Sequence, residues 1–159
     1  KALKLLEQWM REKDLEVFYD DIGNLFGKIE GEQDRIVLTG SHRDTVKNGG
    51  KYDGALGIIC AIAAAGSLYA ELGKPKKNVE VVAFGEEEGS RFLSGYLGSR
   101  YLVGQLSDDI LQERDANGIT LTEAIRHAGF SGKRAQKSPQ MQCNMYKSLH
   151  QPNGWSPSL

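Results

Sequence analysis

Cysteine, proline and long apolar runs are all scarce in this sequence. Only two of the 159 residues are cysteine, Cys60 and Cys143, far apart and in no metal-binding or redox spacing. That argues against a disulfide framework and makes a reducing, cytoplasmic compartment the expectation. The longest apolar run, Gly57 to Gly66, has ten residues. It is too short to span a bilayer, and no basic-then-apolar leader precedes it, so no membrane is expected. Net charge is scarce as well: 20 Lys plus Arg against 21 Asp plus Glu leave −1. The balance offers no electrostatic argument for nucleic acid. What is present is ordinary globular material, 40% hydrophobic and 26% charged. The chain is long enough for one domain with a sizeable core.

Acidic residues are unevenly missing. All 21 lie at or before Glu123, and the last 36 residues have none. Residues 1–130 carry 16 basic against 21 acidic side chains, whereas 131–159 are +4 and hold three of the four prolines. Apolar periodicity stops there too. The expectation is a folded unit over 1–130 and a divergent, poorly ordered tail over 131–159. Four spread charges without an arginine cluster make a poor RNA-binding tail. The first residue, Lys1, is followed at once by a helical stripe of Ala2, Leu5, Leu6, Trp9 and Met10. Both ends read as cut from something longer.

Between them, elements alternate. The pattern predicts a helix over 1–13, strands over 15–19, 24–30 and 35–39, and a Gly-rich loop through Gly50. An Ala-rich helix over 54–72 follows, then an apolar strand over 78–84 and helices over 92–103 and 121–127. Apolar strands alternating with helices indicate an α/β sheet covered on both faces.

Three polar clusters fall at the ends of apolar elements. Gly40-Ser41-His42-Arg43-Asp44-Thr45 follows the Ile36–Leu38 strand. In extended backbone His42 and Asp44 share a face, which suits an imidazole ligand held from behind by a carboxylate. A surface hydrogen bond is the plainer reading of that pair. Gly49-Gly50-Lys51-Tyr52-Asp53-Gly54 opens the Ala-rich helix. There Asp53 reads equally as a helix N-cap and as a metal carboxylate. Glu86-Glu87-Glu88 follows the buried strand 79–84 with only Gly85 between. A solvated loop is the common fate of such a run, but like charges this close repel unless a cation compensates. Open α/β sheets keep their sites at these carboxyl ends. Together the clusters supply an imidazole, a candidate bridging carboxylate and a base-plus-ligand pair. Those are the parts of a two-metal hydrolytic site, with donors suited to Zn²⁺ or Mn²⁺.

These motifs resemble those of the M20-type metallohydrolases. Ser41-His42-Arg43-Asp44-Thr45-Val46, Gly49 through Gly57 and Glu86 through Phe92 are most similar to the amidase branch. That branch holds allantoate amidohydrolases and N-carbamoyl-L-amino acid hydrolases. Asn24-Leu25-Phe26-Gly27 and Leu97-Gly98-Ser99-Arg100 fit the same branch. The resemblance implies a zinc-peptidase-like catalytic domain with a largely parallel central sheet flanked by helices, of which this chain is a truncated N-terminal part. It implies two divalent ions, Zn²⁺ or Mn²⁺, per complete subunit. His42 binds one, Glu88 the other, and Asp53 bridges them. Glu87 is the general base and Asp44 orients His42. The implied reaction cleaves a C–N bond of a ureido or carbamoyl group in a small-molecule substrate, and the implied complete protein is a homodimer.

The chain also departs from that pattern. Arg43 stands where the family more often has an apolar residue. It alternates away from His42 and Asp44, so little consequence is expected. Leu149-His150 falls at about the right distance for a further ligand, but Gln151-Pro152-Asn153 does not continue the motif, which counts against His150. The chain alone is therefore expected to be inactive and to bind metal weakly. The alternatives are a non-catalytic fragment with a partial metal site and the peptidase branch of the family. The run Tyr52 to Gly57 argues against the latter.

Overall fold

The computed structural model describes residues 2–133. The expected tail over 131–159 therefore falls mostly outside the described residues, and His150 falls wholly outside them. Elements follow in the order α1 (Ala2–Glu12), β1 (Glu16–Tyr19), β2 (Leu25–Ile29), β3 (Gln33–His42), α2 (Ala55–Leu72) and β4 (Lys77–Phe84). Three short helices close the described chain: α3 (Leu97–Leu102), α4 (Asp108–Leu111) and α5 (Leu121–His127).

The α/β class holds, and the strands form one four-stranded sheet in the order β1-β2-β4-β3. Its pairing is mixed rather than largely parallel. The turn between β1 and β2 is too short for a crossover, so those strands run antiparallel, and β2 also pairs antiparallel with β4. Only β3 and β4, joined through the long helix α2, are parallel. Helical cover is likewise concentrated on one face. Leu6 and Met10 of α1 and Ile58, Ile62 and Ala65 of α2 pack on Leu25, Ile29, Val81 and Ala83 of the sheet.

Helix α2 matches the helix expected over 54–72 to within one residue. Its 18 residues are long and apolar enough, by length and composition alone, to cross a membrane. Here its inward stripe of Ile58, Ala61, Ile62, Ala65 and Gly66 is spent on the sheet. A second core of Phe92, Leu97, Tyr101, Leu106, Leu121 and Ile125 gathers the three short helices.

The helix expected over 92–103 is confined to Leu97–Leu102. Tyr96 sits in the left-handed region at φ 60° and breaks the helix, and the N–H groups that follow serve another purpose, described below. Helix α4 carries no periodic signal in the sequence; Ser107 caps it. Helix α5 begins with a capping box in which Thr120 and Glu123 satisfy each other's backbone N–H groups.

Leu25 is fully buried between the helices and the sheet, whereas Leu93 is 96% exposed. We expect Leu25→Ala to lower unfolding free energy by about 2–5 kcal/mol and Leu93→Ala to change it by less than about 0.5 kcal/mol. Urea denaturation of the two variants checks the difference.

Candidate metal centre

The site is built where β3 and β4 end. Their parallel register sets His42 opposite Phe84, and the Arg43 N–H donates to the Phe84 carbonyl at 2.9 Å, extending the ladder by one step. Both chains therefore leave the sheet at the same level. The loop carrying Glu86, Glu87 and Glu88 starts beside the loop carrying His42 and Asp44.

His42 is the centre of the arrangement. Its Nε2 lies 3.5 Å from Asp53 Oδ1, 3.8 Å from Glu88 Oε1 and 3.9 Å from Glu87 Oε2. Its Nδ1 lies 2.8 Å from the main-chain carbonyl of Asp44. A carbonyl only accepts, so Nδ1 carries a proton, and Nε2 is left turned toward three carboxylates. Three carboxylates this close to one ring nitrogen repel one another unless positive charge stands among them. His42, Asp53 and Glu88 can each offer one ligand atom, and those atoms all lie within 4.8 Å of one another.

The second-nitrogen contact corrects one expectation. The strand ends at His42, so the alternation that would align the Asp44 carboxylate with the imidazole does not continue. The Asp44 backbone carbonyl orients the ring instead. The Asp44 carboxylate accepts the N–H of Glu88 through Oδ2 at 3.1 Å and so steadies the opposite loop.

Asp53 does not cap α2. Gly54 takes the N-cap position with no side-chain capping bond, and the Asp53 carboxylate faces His42 on one oxygen. Its other oxygen takes a long bond, 3.5 Å, from the Thr45 hydroxyl. Gly54 makes this possible. Its φ is +68°, and a Cβ there would lie 2.3 Å from the His42 carbonyl and 2.6 Å from Nδ1. Only a residue without a side chain lets the helix start against the imidazole.

The acidic loop is held mainly through its backbone. The carbonyls of Gly85, Glu86 and Glu87 accept from the N–H groups of Gly98, Leu97 and Tyr96 at 3.1, 3.0 and 2.7 Å. The free donors at the start of α3 are thereby spent on the loop. Beneath it lies Asn24, only 1% exposed. Its Nδ2 donates to Asp20 Oδ2 at 2.6 Å and to the Gly98 carbonyl at 3.1 Å, and its Oδ1 accepts the Gly85 N–H at 3.0 Å. One amide thus ties the β1–β2 turn, the exit of β4 and α3 together. Gly98 leaves room for it, since a Cβ there would meet Asn24 Oδ1 at 2.3 Å. Sequence reasoning did not single out Asn24 as a support. An asparagine at the start of a strand, after an Asp-rich turn, was the signal present.

Electrostatics follow from this crowding. Desolvation pushes the Glu87 carboxyl up, His42 opposes that, and Glu88, Asp44 and Asp53 add to it. Burial also raises Glu86, with Asp44 next, while Arg43 and Arg91 hold it down. Glu86 sits in the left-handed region at φ 53°, and its Oε2 is buried without a hydrogen-bond partner, as is Asp44 Oδ1. The imidazole nitrogen and the carboxylates of Asp53 and Glu88, gathered this closely, fit a divalent cation. Arg43 does not behave as expected either. It is half-buried and bonded into the base of the site rather than idle.

Comparison with known proteins agrees with this chemistry. The model of the family described as Peptidase family M28 matches residues 24–134. An allantoate amidohydrolase of Bacillus subtilis is 42% identical over 86% of this chain and 34% of its own length. An N-carbamoyl-L-amino-acid amidohydrolase of a Pseudomonas species is 43% identical over 82% of this chain and 32% of its own length. Among solved structures, a hydantoinase/carbamoylase family amidase from Burkholderia ambifaria superposes with a TM-score of 0.75 at 38% identity. It covers 83% of this chain and 33% of that one. The chain thus spans about a third of the length of the relatives it matches. The amidase branch inferred from the motifs is borne out, and the matching family model bears the M28 name rather than M20.

Asn24→Leu would keep the volume but leave the buried Gly85 N–H and Gly98 carbonyl without this partner. It should cost about 2–4 kcal/mol of stability. Urea unfolding read beside wild type measures the loss, and a change below about 0.5 kcal/mol would contradict the role given to the amide.

Proposed function

The chain belongs to peptidase family M28, and from that premise we propose that it carries the strand-end metal ligands of an amidohydrolase. The reaction is hydrolysis of a C–N bond in a ureido or carbamoyl substrate, allantoate or an N-carbamoyl-L-amino acid. The observation that carries the proposal is His42 Nε2 facing Asp53, Glu87 and Glu88, each within 4 Å. Relatives named as allantoate and N-carbamoyl-L-amino-acid amidohydrolases support the substrate class.

In this reading His42 would hold one ion and Glu88 the other, with Asp53 shared, as the sequence resemblance implies. The nitrogen-and-oxygen donor set suits zinc or manganese. When bound, the metal supplies a Lewis acid that polarises the scissile carbonyl. The residues of this chain do the rest. Glu87, the carboxylate beside the Glu88 ligand, takes a proton from the attacking water. As the C–N bond breaks, it passes that proton to the departing nitrogen. Desolvation, which raises its carboxyl, suits it to a base that also gives its proton back. Asp44 contributes twice, through its carbonyl on the imidazole and its carboxylate on the Glu88 N–H.

The described residues give two ions only His42, Asp53 and Glu88 to share, and catalytic ions of this kind usually have three protein ligands each. Further ligands for the working enzyme therefore come from outside residues 2–133. The same count favours the second reading, a non-catalytic piece with a partial site. We place the enzyme in the cytoplasm, which its two cysteines support. We take the complete protein to be a homodimer, as the sequence resemblance implies.

Two substitutions in the complete protein test the roles. Asp53→Ala should remove metal together with activity, read by elemental analysis. Glu87→Gln should keep metal while its rate of ammonia release falls by roughly 10²–10⁴-fold. Metal loss in Glu87→Gln with retention in Glu88→Gln would show the two roles to be reversed.

A further inference from the structure

Arg43 reaches the opposite side of the strand end from His42. Its Nη1 donates to the Gly23 carbonyl at 2.9 Å and to the Ala83 carbonyl at 3.4 Å. A Cβ on Gly85 would lie 2.5–2.7 Å from the guanidinium atoms, so the group rests directly on the peptide that opens the acidic loop. Gly23 precedes Asn24, the other tie between the β1–β2 turn and the loop. The guanidinium is thus the cationic half of a two-part brace under the site.

Acids surround this cation. Asp20 lies in the turn whose carbonyl it holds, Asp44 is its neighbour in the chain, and Glu86 follows the glycine it touches. Tyr19 faces it as well. All four interact with it favourably, against a desolvation that draws the guanidinium below the usual arginine range. Two of the carboxylates, Asp44 and Glu86, each keep one buried oxygen without a hydrogen bond. Such oxygens cost stability unless a positive charge lies nearby.

We propose that Arg43 is an internal counter-cation and positioning residue for the metal loop. It compensates Asp20, Asp44 and Glu86 from below and pins Gly85, so that Glu87 and Glu88 are held in place before any metal arrives. This inference rests on the metal-site reading above and adds to it the claim that Arg43 acts chiefly on the metal-free state. Once ions are bound they supply positive charge from above, and the contribution of Arg43 shrinks. An apolar residue at this position would leave the loop dependent on metal for its order.

The test is thermal unfolding of the 159-residue chain, first with chelator and then with saturating zinc chloride alone, for wild type, Arg43→Met and Arg43→Lys. Zinc should raise the wild-type Tm by mass action. Arg43→Met should lower the metal-free Tm more than the zinc-loaded one, making the zinc-induced rise about twice that of wild type or more. Arg43→Lys keeps the charge and should bring the rise back close to wild type. Folding of Arg43→Met only in the presence of zinc would be the extreme form of the same result. Equal losses with and without zinc, failure to fold in both, or a lysine variant that behaves like the methionine one would overturn the inference. A wild-type chain with no response to zinc would instead overturn the metal-site reading itself.

Discussion

The parallel pairing of β3 with β4 sets everything else in this site. With His42 registered against Phe84, two loops rich in metal-binding side chains leave the sheet at one level and face each other. The crossover helix α2 completes the set, because it must begin where β3 ends, and its start carries Asp53 back to the imidazole. Gly54 is the local condition for that return. A slip of one residue in the pairing would move His42 to the other face and dissolve the cluster.

Having gathered so many carboxylates, the fold must keep them apart and oriented. It does so from the backbone side. The start of α3 donates to three successive carbonyls of the acidic loop. The Asn24 amide fastens the base of that loop, and the Asp44 carboxylate holds the Glu88 N–H. The side chains of Glu87 and Glu88 are therefore left free to face His42 while the loop is held through its main chain. Charge is handled separately, by Arg43 beneath and by a metal above. The two hydrophobic cores meet this balance at their edges, where Ala83 and Leu97 lend main-chain groups to Arg43 and to the acidic loop.

Much of this was legible in the sequence. The strand ends and the three polar clusters could be read from apolar runs followed at once by polar residues, because buried strands and their exits leave that pattern; the choice of His42, Asp53 and Glu88 as ligands came from the family resemblance. What could not be read depended on contacts between distant segments. Asn24 looks like a turn residue until Gly85 and Gly98 are seen beside it. Arg43 looks inconsequential because it alternates away from His42 and Asp44, until its guanidinium is seen holding the Gly23 carbonyl of the β1–β2 turn. The carboxylate of Asp44 was given the wrong partner because the strand ends at His42, two residues short of Asp44. Periodicity also overextended α3, since nothing local announces that its first N–H groups are needed by a loop ten residues upstream.

The central claim is that His42, Asp53 and Glu88 serve as ligands of divalent metal at the carboxyl ends of β3 and β4. X-ray absorption at the zinc edge, on the chain loaded with one equivalent of zinc, tests it most directly. The account predicts a shell of nitrogen and oxygen donors at about 2.0–2.2 Å with the outer scattering of one imidazole and no sulfur. A sulfur shell, or oxygen donors without imidazole scattering, would contradict it.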